Sequence, residues 1–331
     1  MKHLKIKIDK YDVDGNEILR NIEFTLNKSD RIAIVGGNGS GKTTILKIIT
    51  GEIKNFDGII ENIGSVSLGY LAQIYNDNEN KTVYEELKDG FADIIVLEKE
   101  LAILEEELKN GNNPDTLEQY SDKLEHFNNM GGYNYNSILM GVASGLGIVP
   151  LLKSPLTQIS GGQRTKVALA KILIHSPDIL FLDEPTNFID MASLEWLEYY
   201  LQNKWKGGYV IVSHDREFLD KTCEKTYEVQ PARALSLYHC NYSEYVVERE
   251  KKEKKIQEDF ERQDDWIKSQ EGLVNRFRAG SRAGWAKSRE KMLDKIDRIE
   301  PPYIPHKAKF LFNETENTSE KILTFKQVFI G

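Results

Sequence analysis

Apolar and polar positions alternate from the first residues of the chain. Leu4, Ile6 and Ile8 are separated by Lys5 and Lys7, the period of a half-buried strand. Arg31-Ile32-Ala33-Ile34-Val35 is instead a nearly continuous apolar run, the pattern of a strand buried on both faces. Thr44-Ile45-Leu46-Lys47-Ile48-Ile49 then opens a helix, so residues 1–72 predict a strand-rich segment with one helix in its middle. Over residues 76–135 the period changes. Leu97, Leu101, Leu104 and Leu108 recur at helical spacing with Glu98, Glu100, Glu105, Glu106 and Glu107 between them, a solvated acidic face over an apolar stripe. Gly111-Asn112-Asn113-Pro114-Asp115 breaks this helix and residues 116–128 start another, which predicts a helical hairpin packed on the main domain.

Strands and helices alternate again over residues 160–229. An apolar strand at Ile179-Leu180-Phe181-Leu182, a helix over 192–202 and a strand at Tyr209-Val210-Ile211-Val212 imply a mostly parallel sheet. Residues 242–299 are long, charged and helical, ended by Pro301-Pro302 and Pro305. Residues 321–329 repeat the character of the first strand.

Composition narrows the class. The chain has 331 residues, 40% hydrophobic and 29% charged, with a net charge of −8, as expected for about two globular domains. That negative balance confines any nucleic-acid contact to a local basic patch. Two cysteines, Cys223 and Cys240, make a disulfide framework improbable and fit a reducing, cytoplasmic compartment. No signal-peptide core and no apolar run of membrane-spanning length occurs, so no membrane insertion is expected.

The chemistry begins at Gly36-Gly37-Asn38-Gly39-Ser40-Gly41-Lys42-Thr43, which matches the phosphate-binding loop G-x-x-x-x-G-K-[ST] between a strand and a helix. Its glycines let successive N–H groups point at one phosphate chain, and the helix N-terminus adds positive potential. ATP-type phosphates would lie against Gly36, Asn38, Gly39, Ser40, Gly41, Lys42, Thr43 and Thr44, with Lys42 on the terminal phosphates and the Thr43 hydroxyl on Mg²⁺. The strand before Asp183-Glu184 delivers two acids: Asp183 to the metal shell, Glu184 as general base toward the attacking water. Ser160-Gly161-Gly162-Gln163, at another helix start, forms a second anion cradle, and two cradles imply a nucleotide sandwiched between two subunits.

Ile159-Ser160-Gly161-Gly162-Gln163 closely resembles the signature sequence of ABC ATPases, with Ile159 where that family usually has Leu. The resemblance covers about residues 1–240 and implies further roles. Gln73 matches the Q-loop glutamine that touches Mg²⁺ and the attacking water. Asn187-Phe188-Ile189-Asp190 matches the D-loop, His214 the switch histidine at the γ-phosphate, and Tyr11 the aromatic that stacks on adenine. Within the family, Glu184-Pro185-Thr186-Asn187-Phe188-Ile189-Asp190 looks like the ABC-F sequence Glu-Pro-Thr-Asn-His-Leu-Asp, with Phe188 replacing His. Ser213-His214-Asp215-Arg216-Glu217-Phe218-Leu219-Asp220 and Cys240-Asn241-Tyr242-Ser243-Glu244-Tyr245 resemble two further ABC-F segments, with Cys240 replacing Gly.

Residues 272–289 contain no acid but carry Arg276, Arg278, Arg282, Lys287 and Arg289, with Phe277 and Trp285 among them. Such a stretch suits RNA phosphates and stacked bases. It equally suits a solvated basic helix face paired with acids on its neighbour. The ABC-F resemblance implies the first: in that family a helical hairpin joins two ATPase domains, and its tip contacts P-site tRNA and rRNA on the ribosome.

The expected fold is therefore α/β: a P-loop ABC-type nucleotide-binding domain over 1–241 with a helical insertion at about 76–160, then a long α-helical hairpin linker over 242–300. A connector over 301–320 and the truncated start of a second ABC domain over 321–331 would follow. The expected function is an ATPase acting on the ribosome, fully active only with a second ABC domain, whether the missing half or a second copy. The energy subunit of an ABC transporter is the alternative, and a DNA-associated ATPase would also use basic helices.

Overall fold

The computed structural model describes residues 2–71, 81–111, 113–187, 189–231, 233–279 and 282–301. The chain opens with β1 (His3–Val13) and β2 (Asn16–Asn27), an antiparallel pair joined by Asp14-Gly15. Both turn residues have positive φ, 51° and 80°, which a two-residue turn between right-twisted strands requires and Asp-Gly adopts readily. β3 (Arg31–Val35), α1 (Lys42–Ile49), β4 (Asp57–Ile63) and β5 (Leu68–Leu71) follow. β4 pairs with β1, so the first sheet has the order β2-β1-β4. Its inner face buries Leu4, Ile6 and Ile8 while Lys5 and Lys7 remain exposed, as the alternation requires.

The helical subdomain comprises α2 (Val83–Lys88), α3 (Ala92–Asn110), α4 (Pro114–Asn129) and α5 (Tyr135–Gly145). Leu97, Leu101 and Leu104 of α3 are buried, whereas Glu105, Glu106 and Glu107 face solvent. α4 starts two residues earlier than expected. Pro114 occupies its first position, where a missing N–H costs nothing, and the Asn113 side chain caps it by accepting from Asp115 N–H at 3.2 Å.

The remainder alternates: α6 (Gly161–His175), β6 (Ile179–Asp183), α7 (Met191–Asn203), β7 (Gly208–Val212), α8 (Arg216–Thr222), β8 (Lys225–Glu228) and β9 (Ser236–Tyr238). These build a six-stranded sheet of order β5-β6-β7-β3-β8-β9, parallel except for β9 at its edge. Ile32 and Ile34 of β3 join Phe181, Val210 and Val212 in a core shared with the first sheet and α1. Ala33 and Val35 face the opposite core, which includes α6 and the helical subdomain. Burial on both faces explains the unbroken apolar runs of β3, β6 and β7. Each fully buried side chain such as Phe181 contributes about 1.5–3 kcal/mol.

After this domain the chain forms α9 (Tyr242–Phe277) and α10 (Ala283–Leu293), an antiparallel hairpin. At 36 residues α9 is about 54 Å long. The expected helix to residue 299 ends instead at Leu293. Val274, Ala286 and Leu293 make the buried seam, with Phe277 and Ile296 against it, and a turn closes at Ile296. Beyond the turn, Gln263 of α9 donates to Asp297 O at 3.0 Å and accepts from Ile299 N–H at 2.7 Å, so the returning chain is held by a side chain and not by helical bonds. The expected connector and second-domain segment, residues 302–331, lie outside the described residues.

Ala286 is the tightest point of the seam, 2% exposed. Ala286→Leu overpacks it by about 1–3 kcal/mol. Limited trypsin digestion is expected to cut the hairpin about fivefold or more faster, while the melting temperature of the sheet-containing domain moves by less than about 1 °C because the sites are distant. A shift of the whole domain instead would mean that hairpin and domain unfold together.

Candidate functional site

The loop from Gly36 to Lys42 bridges β3 and α1 at the carboxyl edge of the parallel sheet, where ligands of such sheets bind. Gly36 lies at φ 156°, and a Cβ there would meet the Val229 carbonyl oxygen at 2.3 Å. Gly41, at φ 97°, is the N-cap of α1, and a Cβ on it would meet Leu19 Cδ2 at 2.6 Å. Both positions demand glycine for close approach as well as for backbone shape. Lys42 folds over the loop, its Nζ donating to Gly36 O and Gly37 O at 3.0 Å each. Burial lowers its pKa, partly offset by the charges of Glu184 and Asp183.

Asp183 ends β6, 4% exposed, and neither carboxylate oxygen has a hydrogen-bond partner. Burial raises its pKa, offset in part by the neighbouring Thr43 hydroxyl and by Lys42 and Lys47, although the Thr43 hydroxyl makes no hydrogen bond of normal geometry with it. Ser40 Oγ is likewise buried and unpartnered. Unpaired buried oxygens are rare and costly. Here they lie beside a phosphate loop and suit a phosphate chain with a hydrated divalent cation. Among the described residues no cluster of three His, Cys, Asp or Glu side chains forms.

Glu184 follows at φ 50°, a left-handed backbone that costs a non-glycine residue about 1–3 kcal/mol. Its N–H donates to Val212 O at 2.8 Å, so β7 holds the turn. The carboxylate is nearly buried. It accepts from His214 N–H at 3.3 Å and has His214 Nε2 at 3.5 Å. Burial raises its pKa and the His214 contacts oppose the rise. The structure thus brings Lys42, Asp183, Glu184 and His214 to one edge. The His214 ring itself is exposed, with only its backbone and one nitrogen near Glu184.

Tyr11 is half-buried on β1, paired with Leu19 beside a bulge. Leu19 is the residue against which Gly41 packs, which puts Tyr11 on the loop's flank. Ser160 caps α6 with a reciprocal pair of bonds: its hydroxyl accepts from Gln163 N–H at 3.3 Å and its N–H donates to Gln163 Oε1 at 2.8 Å. Gly161 and Ser160 are exposed, and nothing lies within 4 Å of a Cβ on Gly161. Gln73 lies outside the described residues, as does Phe188 of the D-loop motif.

Some features were not anticipated. Lys166 of α6 is bonded to Asp190, whose pKa is lowered to about 2 by that contact and by Ser193 N–H. A cleft of about 400 Å³ runs from Gly36 and Asn38 past His214 to Glu228, Tyr245 and Arg249, so the first turns of α9 line it. Glu228 carries a legible signal, an acid inside the apolar run Tyr227-Glu228-Val229; Arg249, within a charged helix, carries none.

At the hairpin's far end Arg276, Arg278, Arg282 and Lys287 are exposed, and Trp285 is 44% exposed. Trp285 meets Phe277 edge-on at 5.8 Å, and the Arg282 guanidinium sits 5.3 Å from the Phe277 ring. Arg278 pairs with Glu290 at 3.3 Å. Arg289 turns inward: Nε and Nη2 donate to Gln270 Oε1 at 3.0 and 2.7 Å, and its guanidinium lies over Trp266. The predicted basic set therefore splits into an outward group and an inward Arg289.

A family model described as ABC transporter matches residues 19–187, and a second of the same description matches residues 232–312. The chain is 38% identical over 323 residues to YdiF of Bacillus subtilis, covering 96% of this chain and 50% of that one. It is 30% identical over 340 residues to ABC transporter F family member 5 of Arabidopsis thaliana, covering 99% of this chain and 49% of that one. It thus spans about half the length of these relatives. A solved structure titled as the ATP binding subunit of an ABC transporter matches 88% of this chain and 99% of its own with a TM-score of 0.54 and 17% identity, a likeness of fold. No helix among the described residues is long and apolar enough to cross a membrane.

The unpartnered Asp183 sets an expectation. A carboxyl whose folded pKa is raised destabilises the folded chain above that pKa, and the burden is relieved as pH falls through it. Asp183→Asn removes the buried charge, and its nucleotide-free melting temperature at neutral pH is expected to rise by about 2–4 °C. The advantage should shrink on acidification. Calorimetry showing a lower melting temperature for the variant would mean that Asp183 is satisfied in the free protein.

Proposed function

This chain belongs to the ABC-F branch of the ATP-binding cassette ATPases, and on that premise we propose that it is the nucleotide-driven half of a machine that acts on ribosomal RNA and tRNA. ATP phosphates lie along Gly36, Asn38, Gly39, Ser40, Gly41, Lys42, Thr43 and Thr44, with Tyr11 against adenine. Thr43, Gln73 and Asp183 are the residues that would hold Mg²⁺, which would neutralise charge on the phosphates. Glu184 orients and deprotonates the attacking water, and its raised pKa brings it closer to the working pH of a general base. The His214 N–H holds the Glu184 carboxylate, and the exposed ring, with one nitrogen beside Glu184, turns to meet the γ-phosphate. Ser160, Gly161, Gly162 and Gln163 present an open helix N-terminus to a nucleotide held by a second ABC domain.

The observation that carries the RNA reading is the hairpin tip. In a chain of net charge −8, the hairpin of α9 and α10 carries Arg276, Arg278, Arg282 and Lys287 at and around its turn, at the end away from the ATP site, with Trp285 exposed among them. Phosphate contacts by such a group are strongly salt-dependent.

Two outcomes test the proposal. In the full-length protein, Glu184→Gln with its second-domain counterpart also changed is expected to keep ATP affinity and lose about 100-fold or more of hydrolysis. Loss of activity on acidification in wild type should report the Glu184 carboxyl, with a midpoint above the ordinary glutamate range because burial raises its pKa. Undiminished hydrolysis would remove Glu184 from the reaction.

The second is cosedimentation of that trapped variant with ribosomes. Binding should require ATP and fall when Arg276, Arg278 and Arg282 become Glu, with the salt slope reduced by roughly two to three. ATP-independent binding, or binding indifferent to these charges, would return the transporter reading to first place.

A further inference from the structure

α9 does not simply leave the ATPase domain; it is fastened to the two segments that would meet the terminal phosphate. The first fastening follows His214. Asp215 caps α8 by accepting from Phe218 N–H at 3.0 Å, and Asp220 near the end of the same short helix accepts from Ser243 N–H at 2.6 Å and from the Ser243 hydroxyl. Asn241 caps α9 one turn away, accepting from Glu244 N–H at 2.9 Å. The start of α9 is therefore set by α8, which itself starts at the switch segment.

The second fastening follows the phosphate loop. β8 lies beside β3 with Glu228 opposite Val35, and Val229 O packs against Gly36. Val229 N–H donates to Val35 O at 2.8 Å, so the two chain ends are tied just before the loop. The Glu228 side chain, 4% exposed, points into the cleft and takes an ion pair from Arg249 of α9 at 3.0 Å, with Gln230 and the Tyr238 hydroxyl also bonded to it. Arg249 is anchored on its own helix by Glu253 at 2.8 Å. Tyr245 packs edge-on to Tyr238 at 4.9 Å and fills the space beside the pair.

We propose that Arg249 and Ser243 are positioning residues for the nucleotide: through Glu228 and Asp220 they couple the orientation of α9 to the occupancy of the phosphate loop within this one domain. Breaking the pair would leave the buried Glu228 charge without its cation, so the contact resists gradual deformation. A phosphate that shifts Gly36 or His214 moves the strand and helix that carry Glu228 and Asp220, and α9 follows. By linkage the effect is reciprocal: holding α9 in place favours nucleotide. This rests on the ATP site described above and adds a route from it to the hairpin that does not require a second ABC domain.

The test uses this chain alone. Ile59 and Lys268 are exposed, and both native cysteines are buried, so Ile59→Cys with Lys268→Cys accepts two spin labels. Wild-type labelled protein should bind the non-hydrolysable ATP analogue AMP-PNP, and the distance distribution between the labels should shift when it does. Arg249→Met is expected to weaken AMP-PNP binding about fivefold or more and to abolish the shift, whereas Arg249→Lys restores most of both. Glu228→Met with Arg249→Met removes both charges together. It should melt near the wild-type temperature yet still show no shift, which separates coupling from folding. An unaltered shift and affinity in the double variant would overturn the inference. Failure of the wild-type chain to bind AMP-PNP at all would instead strike the nucleotide site itself.

Discussion

Burial of the parallel sheet on both faces is the constraint from which the rest follows. β6, β7 and β3 are apolar and buried along their lengths, so their chemistry appears where the strands end. Asp183 and Glu184 emerge from β6, Ser213 and His214 from β7, the phosphate loop from β3 and Glu228 from β8. Because the strands are in parallel register, these groups reach one edge together. The same burial desolvates Asp183, raises Glu184 and lowers Lys42, so the site is primed by the stability of the sheet beneath it. Unpaired Asp183 and Ser40 oxygens and the left-handed Glu184 are local costs that a well-packed domain can carry.

Two connections lead outward from that edge. One runs from the exposed cradle at Ser160 along α6 to Lys166, and across to Asp190 and Ser193 at the start of α7. It joins the segment that would face a partner's nucleotide to the turn after Glu184. The other runs through α8 and β8 to the root of α9. At the hairpin's opposite end an apolar seam of three buried residues sets the two helices together and leaves most of the basic side chains outward. The helix anchored at its root by α8 and β8 thus carries the charged turn at its other end.

Much of this is legible in residues alone. The glycine pattern from Gly36, the acids after a buried strand and the Ser-Gly-Gly-Gln helix start each have a physical reason tied to backbone shape or charge, and the structure places Lys42, Asp183, Glu184 and His214 at one edge. The α/β alternation and the helical insertion were equally readable from periodicity. What periodicity could not supply was pairing over long separations. Nothing in a charged run distinguishes Arg249, which pairs with the buried Glu228, from Arg262, which stays in solvent. Arg289 likewise counts as one more basic residue in sequence, yet its donors are taken by Gln270. The course of the chain after Leu293 depends on Gln263, which holds Asp297 and Ile299 from thirty-odd residues away, and Pro114, within the segment that breaks α3, also begins the next helix. Two ABC-F-like segments that look unrelated in sequence, one containing Asp220 and the other Ser243, prove to be two halves of one contact.

In the function proposed above, ATP held at this sheet edge sets the hairpin tip against RNA. Its most direct measurement is ultraviolet crosslinking from a benzophenone side chain at position 282 of the full-length, hydrolysis-blocked protein incubated with ribosomes, with and without ATP. The account predicts crosslinks to rRNA or tRNA that form with ATP and vanish without it. Crosslinks that ignore ATP, or none to RNA under either condition, would contradict it.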